Sequence, residues 1–169
     1  MVSEAMEKAL NAQFNAELYS GYLYLAMAAY FEDNDYSGFA AWMRVQADEE
    51  LEHGMKFYDY ILRRGAKVNI EAIAKPETEW ESPLAAFEQA LSHERYETSL
   101  IHDLVALARE ENDFATANFL QWFVEEQVEE EENAMENVSK LTLAGESKEL
   151  LFKINEDMGT RTRGGSSDE

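Results

Sequence analysis

Cysteine is absent from the 169 residues. That excludes disulfides, thiolate zinc sites and cysteine-ligated iron–sulfur clusters. It suits a reducing cytoplasm, which is the expected location. Proline occurs only twice, so little interrupts a helix. Positive charge is scarce: 14 basic residues face 35 acidic ones, for a net charge of -21. Such a chain repels phosphate backbones and anionic membranes, so neither nucleic acid nor a membrane is expected as a partner. Cations fit better. The N-terminus carries Glu4 and Glu7 in place of a basic segment leading into an apolar one, so no signal peptide is expected. The longest mostly apolar run, Gly21 to Phe31, is too short to span a bilayer.

Apolar residues make up 46% of the chain and aromatics 12%, too much for a disordered acidic chain. The length fits one domain with a real core. Apolar positions recur with helical spacing almost throughout. A first helix is expected from just after Ser3 to about Asp33, with Leu10, Phe14, Glu17, Gly21, Tyr24 and Ala28 on one face. Asn34-Asp35 breaks it. The second runs from about Ser37 to Arg64, with Phe39, Met43, Gln46, Glu50, His53, Phe57 and Ile61 inward and Gly65 past its end. Residues 66–81 lack a helical pattern, and so long a link predicts a crossover along a bundle. Ser82-Pro83 starts a third helix, whose inner face reads Phe87, Leu91, Glu94, Thr98, Ile101, Val105 and Ala108. The fourth places Leu120, Phe123, Gln127, Glu130, Ala134, Val138 and Leu141 on one face and stops at Gly145. A short fifth helix covers Ser147 to Met158, with Leu150, Leu151 and Ile154 apolar. The expected fold is an all-α four-helix bundle with a long second-to-third crossover and a short fifth helix. It occupies residues 1–158, followed by a polar tail, 159–169, expected to be disordered.

Polar groups interrupt the apolar stripes. Each long helix carries at least one near its middle: Glu17, Glu50 with His53, Glu94, and Gln127 with Glu130. Helix midpoints in a bundle lie at similar heights, so these side chains converge. Four carboxylates in a dry interior are costly unless protons or cations compensate, and two divalent cations compensate well. Glu50 and His53, at i and i+3, face one metal together. Carboxylates with one imidazole suit iron or manganese better than structural zinc, a pattern known from carboxylate-bridged two-metal bundles. Tyr24, near Glu17, serves packing and hydrogen bonding or the centre itself. In the acidic run 125–132, Glu126, Glu129 and Glu130, with Glu49 beside Glu50, form a candidate annex. Glu125 and Glu132 read as solvated surface.

Three stretches carry a resemblance: Asn15-Ala16-Glu17-Leu18-Tyr19-Ser20, Glu49-Glu50-Leu51-Glu52-His53, and Asn118-Phe119-Leu120-Gln121-Trp122-Phe123 leading into Glu126-Gln127-Val128-Glu129-Glu130-Glu131. Over nearly its full length the chain resembles prokaryotic non-haem ferritins, and Trp80-Glu81-Ser82-Pro83-Leu84 resembles their archaeal members. The resemblance implies a homo-oligomeric cage, normally of twenty-four subunits, that oxidises Fe(II) with dioxygen and stores ferric mineral. It implies a first iron on Glu17, Glu50 and His53 and a second on Glu50, Glu94 and Glu130, with Gln127 close by and Tyr24 beside the centre. It also implies a third iron on Glu49, Glu126, Glu129 and Glu130. Haem is not expected, because bacterioferritins carry a methionine where this chain has Leu51 and a second Glu-x-x-His where it has Gln127-x-x-Glu130. Two alternatives stay open: a two-metal oxidase that makes no cage, and a mineral-nucleating subunit without oxidase activity.

Overall fold

The computed structural model describes residues 2–161. Five helices follow in order: α1 (Glu4–Asp33), α2 (Ser37–Arg63), α3 (Pro83–Glu110), α4 (Phe114–Ala144) and α5 (Lys148–Met158). Their ends follow local chemistry. Ser3, Ser82, Asp113 and Ser147 each accept a backbone N–H of the first turn, a cap worth roughly 1 kcal/mol. Asp35, Asn112 and Gly65 take positive φ at the turns, where Asn, Asp and Gly are the tolerated residues.

Helices α1 and α2 pair, α3 and α4 pair, and α1 also packs on α3. Residues 64–82 carry no helix and run the length of the bundle between α2 and α3. Near their start, Asn11 donates to the carbonyl of Lys67 (2.9 Å) and accepts from the amide of Asn69 (2.7 Å). Near their end, Trp80 stacks edge-on against Tyr30 with ring centroids 5.1 Å apart.

The core divides into two apolar clusters. One gathers Leu23, Met27, Phe31, Phe39, Met43 and Phe87; the other gathers Leu10, Phe14, Phe57, Ile61, Ile101 and Phe123. On α1, Glu17 falls between the two sets, and so do Glu50 on α2 and Glu94 on α3. A polar layer therefore crosses the bundle at mid-height, held by apolar packing above and below.

The inner faces of α1 and α2 are the expected ones. On α3 the flanking positions are Ala90, Glu97 and Leu104, not Leu91, Thr98 and Val105, which are only half-buried. On α5, Leu151 and Ile154 pack on the chain's own core, while Leu150 and Phe152 stay exposed. Two contacts fix α5. Asn155 Oδ1 accepts from the free amide of Phe39 (3.0 Å), where Tyr36 supplies no side-chain cap. A Cβ at Gly38 would stand 1.6 Å from the Asn155 carbonyl oxygen. Gly38→Ala is therefore expected to lift α5 off α2, at a cost of roughly 1–3 kcal/mol. Amide exchange confined to α5 and the start of α2 would register it; unchanged protection there would refute the close-packing argument. Within the tail, Arg161 reaches back to α2, and residues 162–169 lie outside the described residues.

Candidate metal centre

Helix α1 brings Glu17, α2 brings Glu50 and His53, α3 brings Glu94, and α4 brings Gln127 and Glu130. All six are buried. His53 Nδ1 lies 3.4 Å from Glu50 Oε2 and 3.7 Å from Glu17 Oε2. Glu17, Glu50 and His53 each offer a ligand atom, and these atoms all lie within 4.8 Å of one another. One divalent cation can reach all three. The other half is tied by hydrogen bonds: Gln127 Nε2 donates to Glu94 Oε2 (3.3 Å), Gln46 Nε2 donates to Glu130 Oε2 (2.8 Å), and the Tyr24 hydroxyl donates to Glu94 Oε1. The imidazole of His53 is wedged against Trp122 and Phe123, with centroids 5.3 and 6.0 Å away. Trp122 is itself covered by the Lys56 ammonium, 3.3 Å from a ring centroid.

Burial sets the electrostatics. It pushes Glu17 and Glu50 well above the ordinary carboxylate range, with Glu50 acting on Glu17 and with Glu94 and Glu130 acting on Glu50. Burial lifts Glu94 to about 7, against the hydrogen bonds from Tyr24 and Gln127. Burial and Glu94 lift Glu130 to about 8, against the bond from Gln46. Burial and Glu94 also raise Tyr24 well above the ordinary phenol value. The layer has more negative charge than its donors neutralise, so without a cation it holds protons. Binding a divalent ion exchanges those protons for metal.

The annex is less uniform. Glu126 Oε1 lies 3.8 Å from His53 Nε2. Glu129 is exposed on α4. Glu49 is bound by Arg161, whose Nη2 donates to Glu49 Oε2 at 2.8 Å. The same guanidinium donates to Gln46 Oε1, and Gln46 donates to Glu130. Its plane also covers Trp42, 4.7 Å from a ring centroid. A cation of the chain's own thus sits at the Glu49 side of the candidate third site.

A profile of the ferritin-like domain family matches residues 7–144. This chain belongs to the ferritin family. The ferritin is 42% identical to a bacterial non-heme ferritin of Bacteroides fragilis over 161 residues, covering 95% of this chain and all of the relative. It is 40% identical to one from Staphylococcus aureus, covering 96% of this chain and 98% of that one. An open pore ferritin from the hyperthermophilic archaeon Archaeoglobus fulgidus superposes with a TM-score of 0.95 at 51% identity, covering 96% of this chain and all of that one. A closed form of that protein, made by site-directed mutagenesis, superposes equally well at 50% identity. The expected all-α, ferritin-like fold is the observed one.

Several residues of this ferritin's polar layer escaped the sequence reading. Gln13 donates to both Glu17 Oε1 and Glu97 Oε2, each at 2.9 Å. Burial raises Glu97 to about 6. Gln46, on the inner face of α2, joins the layer through its bond to Glu130. Ser20 Oγ lies 2.7 Å from His93 Nε2, and burial lowers His93 to about 4. The available signal was spacing: Gln13 precedes Glu17 by four residues, and Glu97 follows Glu94 by three.

Proposed function

We propose that this ferritin oxidises Fe(II) with dioxygen at the buried two-metal layer and stores the ferric product as mineral inside a homo-oligomeric cage. The observation that carries the reading is the clustering of Glu17, Glu50 and His53 within one cation's reach, with Glu94 and Glu130 alongside. Glu17, Glu50 and His53 would hold one Fe(II), and Glu50, Glu94 and Glu130 the second, with Gln127 and Tyr24 orienting Glu94. Hard carboxylate oxygens favour the ferric state over the ferrous. Two Fe(II) ions supply one electron each, so dioxygen takes a pair and reaches the level of hydrogen peroxide. The unfavourable single-electron step is avoided. The ferric ions then hydrolyse to oxy-hydroxide and release protons. Glutamates with raised pKa values serve both ends of this cycle, holding protons before iron binds and charge while it is bound.

Kinship with non-heme ferritins and an archaeal ferritin supports the cage, taken here as twenty-four subunits, over a cage-free oxidase. Size-exclusion chromatography separates the two. A reducing cytoplasm fits the substrate, since iron must arrive as Fe(II). No helix among the described residues is long and apolar enough to cross a membrane. Dioxygen consumption on adding Fe(II) to the apo protein tests the enzyme reading. A mineral-nucleating subunit would show no fast uptake.

The third iron is proposed at Glu49, Glu126, Glu129 and Glu130, where Arg161 competes with it. Arg161→Gln is expected to tighten that site by roughly tenfold, because a carboxylate freed of its guanidinium is available to a metal. Metal titration resolving the weakest site per subunit measures this. Changing Glu49, Glu126 and Glu129 together to Ala should leave fast oxidation of the first two irons intact and alter the iron-to-oxygen ratio. An unchanged ratio, with the weak site unmoved by Arg161→Gln, would leave these glutamates as solvated surface charge.

A further inference from the structure

The chain has three tryptophans, Trp42, Trp80 and Trp122. Two of them adjoin the polar layer, and each has a cation over its ring. The Trp122 indole meets the His53 imidazole edge to face, with centroids 5.3 Å apart, and the Lys56 ammonium stands 3.3 Å from a Trp122 ring centroid. Trp42 lies one turn before Gln46 on α2, and Arg161 both covers it at 4.7 Å and donates to Gln46. Trp80 packs against Tyr30 near the end of α1 and donates to Gln89. Among the described residues no cation is placed over Trp80. In a chain with 14 basic residues against 35 acidic ones, the covering cations follow the metal layer and not the tryptophans at large. Burial lowers the Lys56 ammonium from the ordinary lysine value, while Glu126, Glu52 and Glu17 act the other way and favour its charge.

An exposed cation–π contact adds little to stability. Its redox consequence is larger. Indole is among the most readily oxidised side chains, and removing an electron leaves positive charge on the ring. Beside an ammonium, attraction then turns to repulsion. We propose that Lys56 protects Trp122 from one-electron oxidation by the chemistry of the neighbouring metal layer. The proposal rests on the oxidase reading of that layer for its oxidant. The hazard arises when dioxygen meets a layer that holds a single Fe(II). Iron supplies one electron, and Trp122, in contact with the candidate ligand His53, can supply the second. Dioxygen, Fe(II), the indole and one proton then give Fe(III), a neutral indolyl radical and hydrogen peroxide. Lys56 touches no substrate. It acts through Trp122, and it leaves the electron pair to be drawn from iron.

The test uses the assembled protein, and peptide mass spectrometry reads the ratio of oxidised Trp122 to oxidised Trp80. In the first arm the apo protein, with chelator present, meets azide radicals, which are uncharged one-electron oxidants and need no iron. Lys56→Gln is expected to raise the ratio at least about threefold, and Lys56→Arg to keep the parental value. Lys56→Leu, which covers the ring without charge, should behave as Lys56→Gln does. In the second arm one Fe(II) per subunit is added in air, and the variants should rank in the same order. A parental ratio in Lys56→Gln under azide radicals would overturn the proposal. So would protection restored by Lys56→Leu, which would assign it to coverage alone. Dioxygen uptake in the second arm separates the proposal from the oxidase reading. Without uptake the oxidase reading fails, and the azide arm alone decides the role of Lys56. With uptake, equal Trp122 damage in the parent and in Lys56→Gln overturns that role.

Discussion

Glu17→Ala, Glu50→Ala and His53→Ala are each expected to slow the fast phase of Fe(II) oxidation by at least about a hundredfold while leaving assembly intact. Each removes one side chain from the group whose potential ligand atoms all lie within 4.8 Å of one another. Glu50→Ala should be the most severe, because Glu50 lies against His53 at 3.4 Å and is acted on electrically by Glu94 and Glu130, as a bridging carboxylate must be. All three side chains are buried, so the outer surfaces that drive assembly are untouched. Stopped-flow traces read the oxidation and size-exclusion chromatography reads the assembly. Parental oxidation rates in all three variants would remove this centre from the chemistry.

The second large effect is on stability. Folding raises Glu94 from an ordinary 4.5 to about 7 and Glu130 to about 8, first by burial. Between pH 4.5 and 8 the folded apo chain therefore binds more protons than the unfolded chain. Stability is fullest below about pH 4.5 on this account and is lost as pH rises through 7 and 8. The loss across that window is on the order of several kcal/mol, which for a chain of this size lowers Tm by about 10 °C. Surface repulsion in a chain of net charge -21 adds a trend of the same sign, so the variants isolate the layer. Glu94→Gln and Glu130→Gln should flatten the slope and raise apo stability at pH 8 by roughly 1–3 kcal/mol, while weakening metal binding. Thermal unfolding with chelator present measures both. A parental slope in both variants, or clear destabilisation at pH 8, would mean that the apo layer is not strained by charge.

Much of this architecture is legible in the sequence. Helical periodicity with Ser, Asp and Gly punctuation placed five helices, and the misfit of carboxylates on apolar stripes picked out side chains that the bundle buries at one level. What failed has physical causes. Two stripes on α3 share Phe87, Glu94, Ile101 and Ala108. They differ in whether Ala90, Glu97 and Leu104 or Leu91, Thr98 and Val105 flank them. The choice depends on which side α1 packs, a tertiary fact. A carboxylate at 97 argues for solvent when read alone; it is buried because Gln13 on another helix supplies a donor. The exposed pair Leu150 and Phe152 shows the same limit, since composition gave α5 an apolar face but not which residues its own bundle would cover. Arg161 belongs to a polar segment without periodicity. Its bond to Glu49, 112 positions away in the chain, leaves no local mark.

The central claim is that two irons bind side by side in the polar layer. Crystals of the apo protein soaked anaerobically in Fe(II) and measured at the iron absorption edge test it most directly. Two strong anomalous peaks are expected in every subunit, one between Glu17, Glu50 and His53 and one between Glu50, Glu94 and Glu130. A single peak, or peaks only among the exposed glutamates of α4, would contradict it.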